Sequence, residues 1–109
     1  MTVRNGSRRR AGDGADKLNA ESIRGWIRNR EGWRHSKNRL AKEFQFKSFR
    51  DSIIFVNRVA TIADDTKHRP DITVTNERVR LDLKTPEAGG VTEKDIQFAE
   101  RVDFATSAR

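Results

Sequence analysis

The chain has 109 residues, of which 34% are hydrophobic and 36% are charged, and its formal net charge is +7. That length allows one domain with one modest core, and no apolar run approaches the ~18 residues a membrane-spanning helix needs. The absence of cysteine excludes disulfides and thiolate metal sites and fits a reducing compartment. The basic first ten residues lack the apolar stretch of a secretory signal, so a cytoplasmic location is expected.

Charge is distributed unevenly. Residues 1–50 hold 14 Lys/Arg against 5 Asp/Glu, while residues 51–109 hold 9 against 11. This asymmetry points to an acidic partner for the N-terminal half. Residues 1–19, with Arg8-Arg9-Arg10, carry no hydrophobic period and are expected to form a disordered basic arm.

The spacing of Ile23, Trp26 and Ile27 predicts a short helix over 20–28, with Arg24, Arg28 and Arg30 giving it a cationic outer face. Glu31-Gly32 ends it and Trp33 opens a strand, followed by a turn at Ser36-Lys37-Asn38. Leu40, Lys42, Phe44 and Phe46 alternate with Arg39, Ala41, Glu43 and Gln45, which predicts a strand with one apolar face. Lys42 is the exception on that face.

Ser48, with Asp51 three residues on, has the form of a helix N-cap. The helix should run to about Asp64, with Phe49, Ile53, Val56, Val59, Ala60 and Ala63 as its apolar stripe. Ile54, Phe55 and Ile62 widen that stripe, enough for a second contact such as a subunit interface. Ile72, Val74, Val79, Leu81 and Leu83 alternate on either side of Asn76-Glu77, which predicts two strands joined by a tight turn. Thr92 and Asp95 have the form of a second cap before a helix carrying Ile96, Ala99 and Val102. A frayed tail is expected over 106–109.

The predicted order is helix, two strands, helix, two strands, helix: an α+β domain over 20–105, with a four-stranded antiparallel sheet and three helices on one face. Two segments stand apart from this pattern, Asp64-Asp65-Thr66-Lys67-His68-Arg69-Pro70-Asp71 and Lys84-Thr85-Pro86-Glu87-Ala88-Gly89-Gly90-Val91-Thr92-Glu93-Lys94-Asp95. Together they resemble the active-site frame of the pterin carbinolamine dehydratases. That family has an acid, three residues, His-His-Pro, an aromatic in the next strand, then Thr-His, Gly-Gly-Leu-Thr and an Asp.

Asp64, His68, Pro70, Thr85, Gly89, Gly90, Thr92 and Asp95 keep this spacing. Arg69 replaces the second histidine, Asn76 the strand aromatic and Pro86 the distal histidine. The resemblance implies histidines acting as acid and base on a reduced pterin. Guanidinium stays protonated and proline has no ionisable group, so neither can stand in for imidazole. The expectation is therefore a vestigial site at Asp64, His68, Arg69, Asn76, Pro86 and Asp95 that has lost dehydratase activity. Asp95 is also explained as the cap partner of Thr92, and His68 as a residue bonded to loop backbone.

Within the resemblance, the sequence looks most like the branch that serves as a Rubisco assembly factor in α-carboxysome-containing bacteria. That implies a homodimer, with or without carboxysome association, binding the Rubisco large subunit. Candidate contacts are Arg24, Arg28, Arg30, Arg34, Arg39, Arg78, Arg80 and Lys84. No cofactor, metal or membrane is expected, and nucleic acid is the less favoured acidic partner. An active dehydratase with a reduced site, or a protein-binding dimerisation cofactor of a transcription factor, are the alternatives.

Overall fold

The computed structural model describes residues 16–107. Most of the expected basic arm, including Arg8-Arg9-Arg10, lies outside the described residues. Its last positions are held by the fold: the Leu18 amide donates to the Val91 carbonyl at 2.8 Å, and the Asn19 side chain accepts from the Ser22 amide at 2.8 Å. That cap opens α1 (Ala20–Ile27), which buries Ile23.

Two hairpins make the sheet. Strands β1 (Arg34–Ser36) and β2 (Arg39–Gln45) are joined by Lys37 and Asn38, both at positive φ, the conformation a two-residue hairpin turn requires. Strands β3 (Asp71–Thr75) and β4 (Arg78–Leu83) meet at a turn where Asn76 has φ 54°. The four strands are antiparallel in the order β1-β2-β4-β3. Helix α2 (Phe49–Thr66) connects the hairpins, and α3 (Glu93–Ser107) closes the chain. The fold class and element order are those the sequence predicts.

Between the hairpins, the Ser48 hydroxyl accepts from the Asp51 amide at 3.0 Å. Replacing Ser48 with alanine is expected to cost about 1 kcal/mol, because an amide of the first turn loses its acceptor. A lower urea midpoint with an unchanged m-value would show it.

The core joins Leu40, Phe44, Val79, Leu81 and Leu83 of the sheet to Phe55, Val59 and Ile62 of α2 and Phe98, Ala99 and Val102 of α3. The exceptional Lys42 is accommodated by an acid on α3. Its ammonium donates to Asp103 at 2.9 Å and sits 4.9 Å from the Phe44 ring centre. The Trp33 indole N–H donates to the same carboxylate at 2.8 Å. Glu100, one turn earlier, holds the Trp26 indole at 3.0 Å and Arg30 at 3.2 Å. Two acids on one helix face thus fasten α1 and the first hairpin to α3.

The structure corrects the expected face of α2. Its buried residues are Ser52, Phe55, Val59, Ile62 and Ala63, whereas Phe49 is 58% exposed and Ile53 and Ala60 are also exposed. Two overlapping stripes fit the helical period; Phe55, Val59 and Ile62 pack into the core, and Ser52 pins the same face. Its hydroxyl bonds the Phe49 carbonyl at 2.6 Å and the Asn76 carbonyl at 3.0 Å, which fixes the helix against the β3–β4 turn. Ile72 and Val74 are likewise only partly covered, because β3 is an edge strand that the helices do not reach across. At the C-terminus α3 runs to Ser107, and the rest of the tail expected over 106–109 lies outside the described residues.

Candidate active site

Helix α2 ends at Lys67, whose left-handed backbone (φ 55°) lets its amide bond the Ala63 carbonyl. The His68 amide bonds the same carbonyl at 3.3 Å. This tight stop carries the His68 imidazole to the start of α3. The segment after β4 is folded back by a short 3-10 turn (Pro86–Ala88), with Gly89 at φ 77°, a conformation glycine adopts without strain. The Thr85 amide then donates to the Gly90 carbonyl at 2.8 Å, and the closed loop sets Thr85 beside Thr92.

Asp95 lies at the convergence of these elements and is fully buried. One carboxylate oxygen, Oδ1, is 2.5 Å from His68 Nε2. The other, Oδ2, accepts from the Thr85 hydroxyl at 2.9 Å and from the Thr92 amide at 2.9 Å. Three partners satisfy a buried acid that would otherwise be costly to bury. The edge of the Phe98 ring closes on the His68 ring, with centroids 6.1 Å apart.

His68 borders a cavity of about 530 Å³ between the end of α2 and the ends of β3 and β4. Asp64, Asp71, Asp82 and Glu87 line it with Lys67, Arg69, Lys84 and Pro86. Asp71 and Asp82 stand opposite each other in the β3–β4 register. Arg80 relieves that pairing by gripping Asp82 with two hydrogen bonds of 3.0 and 3.1 Å. The hydrogen bond and then the charge of Asp82 hold the Arg80 guanidinium above its ordinary value.

Four of the six sequence-predicted site residues border this cavity: Asp64, His68, Arg69 and Pro86. Asp95 stands behind His68. Asn76 does not reach the cavity, since it sits exposed at the β3–β4 turn, where its carbonyl serves Ser52. His35 lies in β1, at the opposite edge of the sheet. The bonding of His68 differs from the expected backbone contact, because its ring engages a buried side chain.

Sequence reasoning placed Thr85 in the frame by its spacing but gave neither Thr85 nor Asp82 a role at the site. The register Asp71↔Asp82 and the bridge between Thr85 and Gly90 are long-range features with no local signal. Among the described residues, no group of three His, Asp or Glu side chains is placed to hold a metal ion.

The cationic candidates do not form one patch. Arg30 is committed to Glu100, and Arg39 and Arg80 to Asp82. Arg24, Arg28 and Arg34 are exposed near the N-terminal half of the fold, Arg78 opens β4, and Lys84 borders the cavity.

A fold of this order, with an acid-backed histidine facing a cavity beyond its sheet ends, defines a dehydratase-like α+β domain. The family model for pterin 4 alpha carbinolamine dehydratase matches residues 16–105, and the chain belongs to that family. A relative from Sulfolobus acidocaldarius, provisionally named a pterin-4-alpha-carbinolamine dehydratase, is 41% identical over 87 residues, spanning 80% of this chain and 96% of the relative. Another of the same provisional name, from Thermomicrobium roseum, is 41% identical over 86 residues, 79% and 92% of the two chains.

Two solved structures are similar. A transcriptional coactivator/pterin dehydratase from Brucella melitensis superposes with TM-score 0.77 at 27% identity, covering 81% of this chain and 96% of that one. A pterin dehydratase-like protein described as a RuBisCO assembly factor in the α-carboxysome superposes with TM-score 0.57 at 28% identity, covering 68% and 88%.

These findings overturn the expectation that dehydratase activity is lost. Relatives at 34–41% identity bear the dehydratase name, which makes this an enzyme family. The expectation rested on the residues missing at Arg69 and Pro86. It left out what the fold retains, a histidine held by a buried acid at an open cavity.

Proposed function

We propose that this site eliminates water from the 4a-carbinolamine of a reduced pterin, with His68 as the group that moves the proton. The observation that carries the reading is the His68–Asp95 pair at the cavity wall. In the elimination, a ring N–H loses its proton, a C=N bond forms, and the hydroxyl leaves as water after gaining a proton. Imidazole is suited to both transfers near neutral pH. Arg69 contributes a fixed cation and Pro86 an apolar wall, and neither moves a proton, so His68 is the imidazole left at the cavity for that work. Purified protein should accelerate dehydration of a chemically prepared carbinolamine over a buffer blank. His68→Ala should remove roughly 10²–10⁴-fold of that acceleration. Equal rates with and without wild-type protein would sink the reading.

A second reading, binding of Rubisco subunits during assembly in an α-carboxysome-containing bacterium, is favoured by the likeness to the assembly factor. It is compatible with a working cavity, since Arg24, Arg28 and Arg34 are exposed and do not line it. Cationic groups of this kind steer encounter with acidic surfaces. The homodimer that goes with it has a ready surface in β3, all five of whose residues are exposed. Antiparallel pairing of two β3 strands about Thr73 sets Ile72 against Val74 of the second copy, with no like charges opposed. The same pairing brings Thr75 of the second copy opposite Asp71, on the cavity rim.

Val74→Lys is expected to shift the protein toward monomer in sedimentation velocity, and an unchanged mass would remove β3 as the contact. Co-expression with Rubisco large and small subunits should raise soluble holoenzyme. No gain in yield, with no effect of reversing Arg24 and Arg28 to Glu, would eliminate the assembly role.

A further inference from the structure

We infer that neutral His68 is held as its Nε2–H tautomer, leaving Nδ1 as the proton-accepting atom, and that Thr85 and the Thr92 amide are the positioning groups that impose this. The donor directions follow from the hydrogen bonds once Asp95 is taken as the carboxylate. An ionised carboxylate only accepts, so the Thr85 hydroxyl spends its single proton on Asp95 Oδ2. The 2.7 Å contact between the Thr85 and Thr92 hydroxyls must then have Thr92 donating. The Thr92 oxygen in turn accepts from the Lys94 amide at 3.2 Å.

Both donors from the loop converge on Oδ2, which leaves Oδ1 for His68. Nε2 therefore has to carry a proton to face it at 2.5 Å. Among the described residues Nδ1 makes no hydrogen bond. The one buried side-chain nitrogen or oxygen without a partner among the described residues is Arg39 Nε, so Nδ1 is not sealed in, and the ring that carries it borders the cavity. A substrate N–H in the cavity would meet a lone pair, not a second N–H. The catalytic half of this inference rests on the dehydratase reading, while the tautomer itself does not.

The decisive substitution is Asp95→Asn. The Thr85 hydroxyl and the Thr92 amide both point at the Oδ2 position, so the amide oxygen must turn toward them and the NH2 toward His68. An NH2 can only donate, which reverses the tautomer to Nδ1–H and removes the accepting atom from the cavity. A change of tautomer imposed by one amide is known to disable a histidine base in acyl-transfer enzymes.

The experiment is long-range proton–nitrogen correlation of the imidazoles at a pH where they are neutral. The chain has 2 histidines, and His35→Ala assigns the signals. Wild-type protein is expected to show His68 as Nε2–H, and Nδ1–H would overturn the inference. Asp95→Asn, with an unchanged amide spectrum to show that it folds, is expected to show Nδ1–H and dehydration slowed by about 10²-fold or more. Retention of Nε2–H in that variant would overturn the positioning role. Adding Thr85→Val to Asp95→Asn withdraws one donor and should restore part of the Nε2–H population, whereas no change would remove Thr85 from the account. The expected tautomers with no dehydration in any protein would contradict the dehydratase reading alone, and dehydration by a His68 that carries Nδ1–H would contradict this inference alone.

Discussion

Asp95→Ala is expected to destabilise the protein by roughly 3–5 kcal/mol, read as a fall in both thermal and urea midpoints. The carboxylate is fully buried and serves the Thr85 hydroxyl, the Thr92 amide and the His68 ring. Alanine strands all three, and an orphaned buried polar group costs about 1–3 kcal/mol. Partial relaxation, with water entering from the cavity beside His68, keeps the total below the simple sum. Asp95→Asn keeps an oxygen for the two loop donors and should lose no more than about 1–2 kcal/mol. The contrast separates support of the loop from control of the histidine. Equal losses from the two variants would show that the carboxylate's charge, not its hydrogen bonds, holds the segment in place.

Phe98→Ala is expected to cost about 3–5 kcal/mol, the usual toll for emptying a phenylalanine site in a core. Phe98 is wholly buried on α3, in the cluster that joins α3 to the sheet and α2. A single small core leaves little reserve, since domains are commonly stable by only about 5–15 kcal/mol. The ring also abuts His68 by its edge, so the variant should loosen the imidazole along with the core. Phe98→Leu, which retains most of the volume, should recover the greater part of the loss. A thermal midpoint for Phe98→Ala within about 2 °C of wild type would contradict the assigned packing.

Local pattern carried the architecture. The Ser48 and Thr92 caps, the turns at Lys37-Asn38 and Asn76-Glu77, and the alternation from Leu40 to Phe46 are short-range signals, and each appears in the structure where the spacing puts it. What the pattern could not supply was the choice between equivalent faces. On α2, the stripe through Phe49 and Ile53 and the stripe through Phe55 and Ile62 satisfy the same period, and tertiary contacts, core packing of Phe55 and Ile62 with the bond from Ser52 to the β3–β4 turn, select the second. Lys42 looked like a flaw because its partner, Asp103, lies 61 positions away.

The site was legible as a spacing but not as a bonding pattern. His68, Thr85, Thr92 and Asp95 stood out by position, and each had a bland local explanation as cap, loop or strand end. Their meeting depends on the left-handed stop at Lys67 and the fold-back after Thr85, which no period encodes. Counting the histidines absent at Arg69 and Pro86 therefore gave the wrong emphasis. The remaining imidazole is backed by an acid, and the chain's membership of an enzyme family sits with that arrangement.

The most direct test is a titration of the protein with a stable dihydropterin, following the imidazole signals of its two histidines. If the cavity beside His68 is the working site, the His68 ring signals move saturably while those of His35 stay in place, and Asp95→Asn alters the His68 response. Signals of His68 that stay fixed at saturating pterin, or movement confined to His35, would contradict the account.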